Sequence, residues 1–118
     1  MSITGSNSPL DKVYIIIYKT DVRYESVETE VFAKWRNELR DTVAKTKIRA
    51  RIARAEAGNF GDWKTESGEV RTMRIDYGPG YRLYYAIRGN KILLLLCGGD
   101  KRSQKTDIQN AVKIASEV

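Results

Sequence analysis

The sequence predicts a single α+β domain in which two N-terminal helices pack on one face of a small, mainly antiparallel sheet. Two runs rich in aromatic and β-branched residues, 70–77 and 81–88, flank a Gly-Pro-Gly turn and indicate a hairpin. Apolar residues recur at helical spacing over 31–39 and 43–55. At 118 residues the chain can bury a core without disulfides or metal.

The first half of the chain predicts a strand and two helices. Residues 1–12 are expected to form a flexible tail before a single domain, 13–118, whose first strand is 13–18, Val-Tyr-Ile-Ile-Ile-Tyr. Thr29 is the predicted cap of the first helix, and Asp41 opens the second. A glycine stop at Ala57-Gly58-Asn59 ends the second helix.

The second half predicts the rest of the sheet and a closing helix. A short strand begins near residues 60–64. After the hairpin, Gly89-Asn90 forms a second turn that leads into the apolar run 92–97, the expected central strand. Ser103 is a candidate cap for a last helix over 103–118. The predicted order is strand, helix, helix, three or four strands, helix.

Side-chain alternation along 81–86 predicts a sheet with one polar and one apolar face. Arg82 and Tyr84 share one face, and Tyr81, Leu83 and Tyr85 share the other. Because Tyr84 and Tyr85 point in opposite directions, at most one of them is available to stack on a base.

The net charge and the cysteine content limit which partners and which cellular compartment the sequence predicts. The net charge of +6 favours an anionic partner, either nucleic acid or an acidic protein. The single cysteine, Cys97, lies inside an apolar run and predicts a small core residue in a reducing compartment, the cytoplasm. No apolar run reaches the roughly 18 residues of a membrane helix, so we expect a soluble protein without membrane contact.

The chain has no histidine, which excludes a histidine-based triad and a histidine-ligated metal site. With one cysteine, a typical zinc site is not expected either. Catalysis would have to rely on Lys, Arg, Tyr, Asp or Glu, or on charge stabilisation and positioning.

The second predicted helix carries a basic stripe away from its apolar face. Two interpretations remain open: a solvated basic face, or a contact surface for RNA or a protein partner. The residues of the stripe are Lys45, Lys47, Arg49, Arg51 and Arg54.

Several motifs together resemble one protein family over most of the chain from Phe32 onward. They are Phe32-Ala33-Lys34-Trp35 with Leu39-Arg40-Asp41, Arg51-Ile52-Ala53-Arg54, Gly58-Asn59-Phe60-Gly61-Asp62 before Lys64, Gly78-Pro79-Gly80-Tyr81-Arg82-Leu83-Tyr84-Tyr85, and Gly98-Gly99-Asp100-Lys101 before Ser103-Gln104. This set resembles the RelE superfamily of type II toxin–antitoxin toxins, and most closely its HigB-like branch of addiction-module killer proteins.

The resemblance implies a RelE-like fold and an mRNA interferase, a ribosome-dependent endoribonuclease that cleaves mRNA, inhibits translation and arrests growth. The implied partners are the 70S ribosome with its mRNA and a cognate antitoxin, through which the toxin–antitoxin complex would bind operator DNA. No cofactor or metal is implied, and the expected compartment is the cytoplasm.

The resemblance also assigns site residues. Arg82 is matched to the arginine that stabilises the scissile phosphate, and the further catalytic candidates are Arg74, Lys101, Arg102 and Lys64. The RNA-binding candidates are Arg71, Tyr84, Lys105, Arg49, Arg51 and Arg54.

The chemistry expected of such a site is attack of an RNA 2′-OH on its neighbouring phosphate, with Arg82 and a second cation neutralising the developing charge. A lysine would serve as base only with a lowered pKa. The tyrosine that the family places near Asp107 and Ile108 is absent, so the base stays unassigned.

Other interpretations also remain open. Arg82 could simply pair with Asp76 or Asp100 across the strands. At the level of function, the alternatives are a ParE-like toxin that inhibits DNA gyrase and a non-catalytic RNA- or protein-binding module.

Overall fold

The computed structural model describes residues 23–118, which form an α+β fold. Its elements in chain order are β1 (Glu25–Glu28), α1 (Glu30–Glu38), α2 (Thr42–Glu56), β2 (Trp63–Ser67), β3 (Val70–Ile75), β4 (Tyr81–Arg88), β5 (Ile92–Asp100), a 3₁₀ turn (Lys101–Ser103) and α3 (Gln104–Glu117). The predicted α+β class is confirmed. The strand predicted at 13–18 lies outside the described residues. Among residues 23–118, every helix is too short or too polar to cross a membrane.

The five strands of the described chain form one sheet in the order β1-β5-β4-β3-β2. The three pairings from β2 to β5 are antiparallel, and β1 joins the edge of β5 in parallel. The predicted mainly antiparallel sheet is therefore confirmed. The apolar strand β5 lies inside the sheet, between β1 and β4, whereas the short polar strand β1 lies at its edge.

Local capping explains where α1 begins and where α2 begins and ends. The Phe32 amide donates to Thr29 Oγ1 at 3.1 Å, and Asp41 Oδ1 accepts from the amides of the first turn of α2. Gly58 takes φ +94°, a left-handed conformation that suits glycine, and the Asn59 amide then bonds back to the Arg54 carbonyl at 2.9 Å. All three predicted helix signals are confirmed.

Helices cover both faces of the sheet. Phe32 of α1 and Ile48 of α2 pack with buried β3, β4 and β5 residues on one face. Ala111 and Ala115 of α3 pack with Tyr84 and its neighbours on the other. The prediction of a polar face carrying Tyr84 is therefore wrong, because α3 covers that face and leaves Tyr84 with 0% exposure.

Cys97 is a buried core residue, as predicted, and lies on the α3 face. Burial raises the pKa of its thiol to about 12. The thiol is thus uncharged near neutral pH and unsuited to act as a nucleophile.

The Gly98-Gly99 pair allows close packing on both faces of β5. A Cβ on Gly98 would overlap the Trp35 indole of α1, and a Cβ on Gly99 would overlap the Asp107 carboxylate of α3. A bulge between the pairings of Tyr84 and Tyr85 shifts the register of β5 just before this point. The pair is therefore required by packing rather than by backbone conformation.

We expect Gly98→Ala to lower the free energy of unfolding by about 1–3 kcal/mol, because the added methyl group meets the Trp35 ring. Urea denaturation followed by circular dichroism measures the change. In the double variant Gly98→Ala/Trp35→Leu the smaller side chain makes room, so the two losses should not add. Additive losses would show that the Trp35 contact is not the cause.

Candidate functional site

An open cleft of about 350 Å³ lies where the β3–β4 turn meets the 3₁₀ turn after β5. We call it the central cleft. It brings together three cations and two carboxylates at the end of the sheet. Its lining residues are Asp62, Arg74, Ile75, Asp76, Gly80, Tyr81, Arg82 and Lys101.

Two of the cations face each other across neighbouring strands. Arg74 of β3 is the direct partner of Arg82 of β4 in the antiparallel register. Like charges placed opposite each other destabilise a sheet, so this pair requires compensation. The two arginines are compensated differently.

Arg74 has a carboxylate partner. Its Nη2 lies 2.7 Å from Asp62 Oδ1, and the Arg74 amide also bonds to the Asp62 carbonyl at 2.9 Å. The hydrogen bond from the Arg74 guanidinium lowers the pKa of Asp62, and the charges of Arg51 and Arg82 lower it further. Asp62 therefore stays ionised and holds Arg74 in place.

Arg82 has only a neutral partner among residues 23–118. Its Nη1 donates to Gln104 Oε1 at 3.3 Å, and its buried Nε has no hydrogen-bond partner. Within that range no carboxylate lies at ion-pair distance from Arg82. The alternative of an ion pair with Asp76 or Asp100 is therefore not observed.

Lys101 reaches the cleft from the 3₁₀ turn, which Asp100 holds. The Asp100 carboxylate accepts from the amides of Arg102 at 2.8 Å and Ser103 at 3.3 Å. Ser103 stands at the predicted N-cap position of α3 but its side chain makes no capping hydrogen bond; its hydroxyl donates to Asp107 instead, and Asp100 caps the preceding 3₁₀ turn. This capped turn places Lys101 beside Gly80, opposite the start of β4.

The remaining catalytic candidates lie outside the central cleft. Arg102 pairs with Asp100 at 3.3 Å and has an 86% exposed side chain. Together with Lys105 it lines an outer groove next to Lys101. Lys64 lies on the edge strand β2, 3.9 Å from Glu66.

None of the six RNA-binding candidates lines the central cleft. Arg71 lies on the α1–α2 face, where its guanidinium is 5.1 Å from the centre of the Trp63 ring. Tyr84 is fully buried beneath α3, so it cannot stack on a base, and we correct that assignment. Burial raises the pKa of its hydroxyl, which keeps the phenol neutral.

Arg51 is a structural residue rather than part of the exposed stripe, which corrects its RNA-binding assignment. It is 7% exposed, and its guanidinium donates to the backbone carbonyls of Arg74 at 2.6 Å, and of Phe60 and Asp62 at 3.0 Å. Gly61, at φ +62°, leaves room for this group. Arg51 thereby fixes the backbone of both members of the Arg74–Asp62 pair.

The rest of the basic stripe divides between two sides of α2. Lys45 and Arg49 line a cleft beside β1 that also contains Glu28 and Glu56. Lys47 and Arg54 line a different cleft, next to the end of β3. The sequence pattern alone gave these residues one common face.

Three residues of the site were not predicted. Asp62 and Gln104 stand inside motifs used for the resemblance, but neither pattern indicates that they contact the guanidinium groups of Arg74 and Arg82. The sequence indicates Asp76 only as an ion-pair partner of Arg82. Along the described chain, Asp, Glu and Cys side chains nowhere gather in threes at metal-binding distance.

Comparisons with known proteins give one informative relative. No protein-family model matches the sequence, and no solved structure matches it significantly. An uncharacterised protein of Haemophilus influenzae is 43% identical over 90 residues, which cover 76% of this chain and 91% of that protein. The chain therefore belongs to the same family as this Haemophilus influenzae protein.

Proposed function

We propose that this protein is the toxin of a type II toxin–antitoxin system, a ribosome-dependent mRNA endoribonuclease of the HigB-like branch of the RelE superfamily. The observation that carries the proposal is the central cleft, in which Arg74, Arg82 and Lys101 converge while Arg82 has no carboxylate partner among residues 23–118. A guanidinium in that state is ready to bind an anion such as phosphate.

The fold supports a RelE-like topology as part of the proposal. Both helices that follow β1 pack on the same face of a mainly antiparallel sheet, and the cleft lies at the turn that leads into β4. The Gly80-Tyr81-Arg82 motif, which is one of the motifs that carry the resemblance, forms part of the cleft lining.

The proposed reaction uses the cleft to stabilise charge. The ribose 2′-oxygen forms a bond to the adjacent phosphorus, the bond from phosphorus to the 5′-oxygen breaks, and that oxygen takes a proton from water. The products are a 2′,3′-cyclic phosphate and a 5′-hydroxyl end. Arg82 and Lys101 neutralise the negative charge that grows on the phosphoryl oxygens.

The base that removes the 2′-proton stays unassigned. Asp62 is a weak base because the bound Arg74 lowers its pKa. Asp107 carries the hydrogen bond from Ser103 and does not belong to the cleft lining. Correct orientation of the RNA by the ribosome would supply part of the acceleration, which accounts for the ribosome dependence.

The proposed partners follow from this activity. The substrate is mRNA on the 70S ribosome in the cytoplasm. A cognate antitoxin keeps the toxin inactive, and operator DNA is bound by the complex through the antitoxin. Neither a metal nor a cofactor takes part in the proposed reaction.

The deciding experiment adds purified protein to a reconstituted translation reaction, with and without ribosomes, and maps new RNA ends by primer extension. New ends on ribosome-bound message only are expected. Intact message together with blocked gyrase supercoiling would replace the proposal with a ParE-like activity. Intact message and normal supercoiling would leave a binding protein without this activity.

A further inference from the structure

A second basic cleft adjoins the central cleft. It has a volume of about 350 Å³, and we call it the flank cleft. Ile75 and Asp76 line both clefts, so the two clefts adjoin at the end of β3. The flank cleft is lined by Lys47, Ala50, Arg51, Arg54, Ile75 and Asp76.

The flank cleft carries an excess of positive charge. Among the described residues that line it, the cations Lys47, Arg51 and Arg54 stand with one carboxylate, Asp76. Neither Lys47 nor Arg54 forms an ion pair with any of residues 23–118. The charge of Arg54 adds to burial in lowering the pKa of Arg51, which shows that these two cations lie close together.

Both exposed cations are held over the cleft by the fold. The Lys47 ammonium lies 5.3 Å from the centre of the Tyr77 ring, and the Tyr77 hydroxyl donates to Asp41 at 2.9 Å. Arg54 stands in the last turn of α2, which the Gly58 stop fixes. The floor of the cleft is rigid because the Arg51 guanidinium is bound to backbone carbonyls.

We propose that a single RNA strand seated in the central cleft continues past Asp76 into the flank cleft, where Lys47 and Arg54 bind its phosphates. The inference rests on the proposed function for the choice of RNA. Its physical basis is that the two clefts adjoin and that cations without an ion-pair partner among residues 23–118 complement the charge of a phosphate backbone. Asp76 lies at the boundary and repels the phosphates that pass it.

The test measures binding without cleavage or ribosomes. A fluorescent 2′-O-methyl oligouridine of about 12 nucleotides serves as probe, long enough to fill a typical single-strand site. Its methylated 2′-oxygen cannot attack the phosphate. Fluorescence anisotropy at several salt concentrations gives both the affinity and its salt dependence for the wild type and each variant.

Loss of two phosphate contacts in Lys47→Ala/Arg54→Ala should reduce the magnitude of the slope of log K against log salt by about 1.4, which is about 25-fold in affinity at about 0.1 M salt. The matched control is Lys91→Ala/Lys113→Ala, which removes the same charge at two exposed positions, in the β4–β5 turn and on α3, that line neither cleft. This control should keep nearly the wild-type slope. Asp76→Asn should instead tighten binding, by about twofold, since it removes a repulsive charge.

Equal losses in the two double variants would overturn the proposal, because they would indicate attraction by net charge alone. An unchanged slope in Lys47→Ala/Arg54→Ala would overturn it as well. A loss of affinity that appears only with an RNA duplex probe would also overturn the proposal, because it would indicate contact with structured ribosomal RNA rather than with a single strand. Far-ultraviolet circular dichroism verifies that every variant is folded.

The result is separable from the proposed nuclease activity. If primer extension shows no cleavage but the salt-dependence slope falls in Lys47→Ala/Arg54→Ala, RNA binding in the flank cleft is supported and the nuclease proposal fails. If cleavage is present and the salt-dependence slope does not change in that variant, the proposed RNA binding in the flank cleft fails and the nuclease proposal is kept.

Discussion

Arg82→Ala should reduce ribosome-dependent cleavage by about 100- to 1,000-fold, the usual cost of removing one group that stabilises transition-state charge. The reason is local: Arg82 is the cleft cation whose guanidinium has only the neutral Gln104 as partner within residues 23–118. The rate is measured by primer extension on programmed ribosomes at equal protein concentration.

Arg82→Lys separates charge from geometry. An ammonium keeps the positive charge but loses the planar fork that can bind two phosphoryl oxygens, so an intermediate rate is expected. Lys91→Ala is a suitable control because this exposed lysine lies at the opposite end of the β4–β5 hairpin. If a folded Arg82→Ala protein cleaves at the wild-type rate, Arg82 has no role in the proposed reaction.

Arg51→Ala should produce the largest loss of stability, about 3 kcal/mol or more. The substitution leaves three backbone carbonyls without the charged donor that they share, and a hydrogen bond to a charged group contributes about 1.5–3 kcal/mol. Urea denaturation provides the free energy of unfolding. Arg51→Lys should recover only part of it, because one ammonium cannot reach all three oxygens.

Arg49→Ala is the matched control for this prediction. Arg49 stands two residues earlier on the same helix, is exposed and forms no ion pair with residues 23–118, so its loss should change stability by less than about 0.5 kcal/mol. Similar losses in both variants would indicate a general effect of removing an arginine from α2 rather than loss of the carbonyl contacts, because alanine itself favours the helix.

Much of the secondary structure could be predicted because its signals are local. Thr29, Asp41 and Gly58 act through hydrogen bonds within a few residues, and such signals can be recognised from a single sequence. The edge strand β1 has no such signal. Its sequence Glu-Ser-Val-Glu is too polar to indicate a strand, and it depends on pairing with β5, more than 60 residues away.

The candidate site could be predicted only in part, for tertiary reasons. Arg82 and Arg74 were identified, but their direct opposition depends on the register of the hairpin. Arg51 looks like its basic neighbours in the sequence, and only the fold brings two carbonyls of the loop before β2 and one of β3 to its guanidinium. Alternation placed Tyr84 opposite Tyr85, yet it could not show that α3 would cover Tyr84.

The division of the hydrophobic core by the sheet has a consequence for control of the cleft. Arg51 secures the Asp62 and Arg74 backbone from the α2 layer, whereas Lys101 and Gln104 arrive with α3 from the other layer. The cation cluster is complete only while both layers are docked. Local opening of α3, visible as fast amide hydrogen exchange, would remove Lys101 and the Gln104 partner of Arg82 but leave the Arg74–Asp62 pair intact.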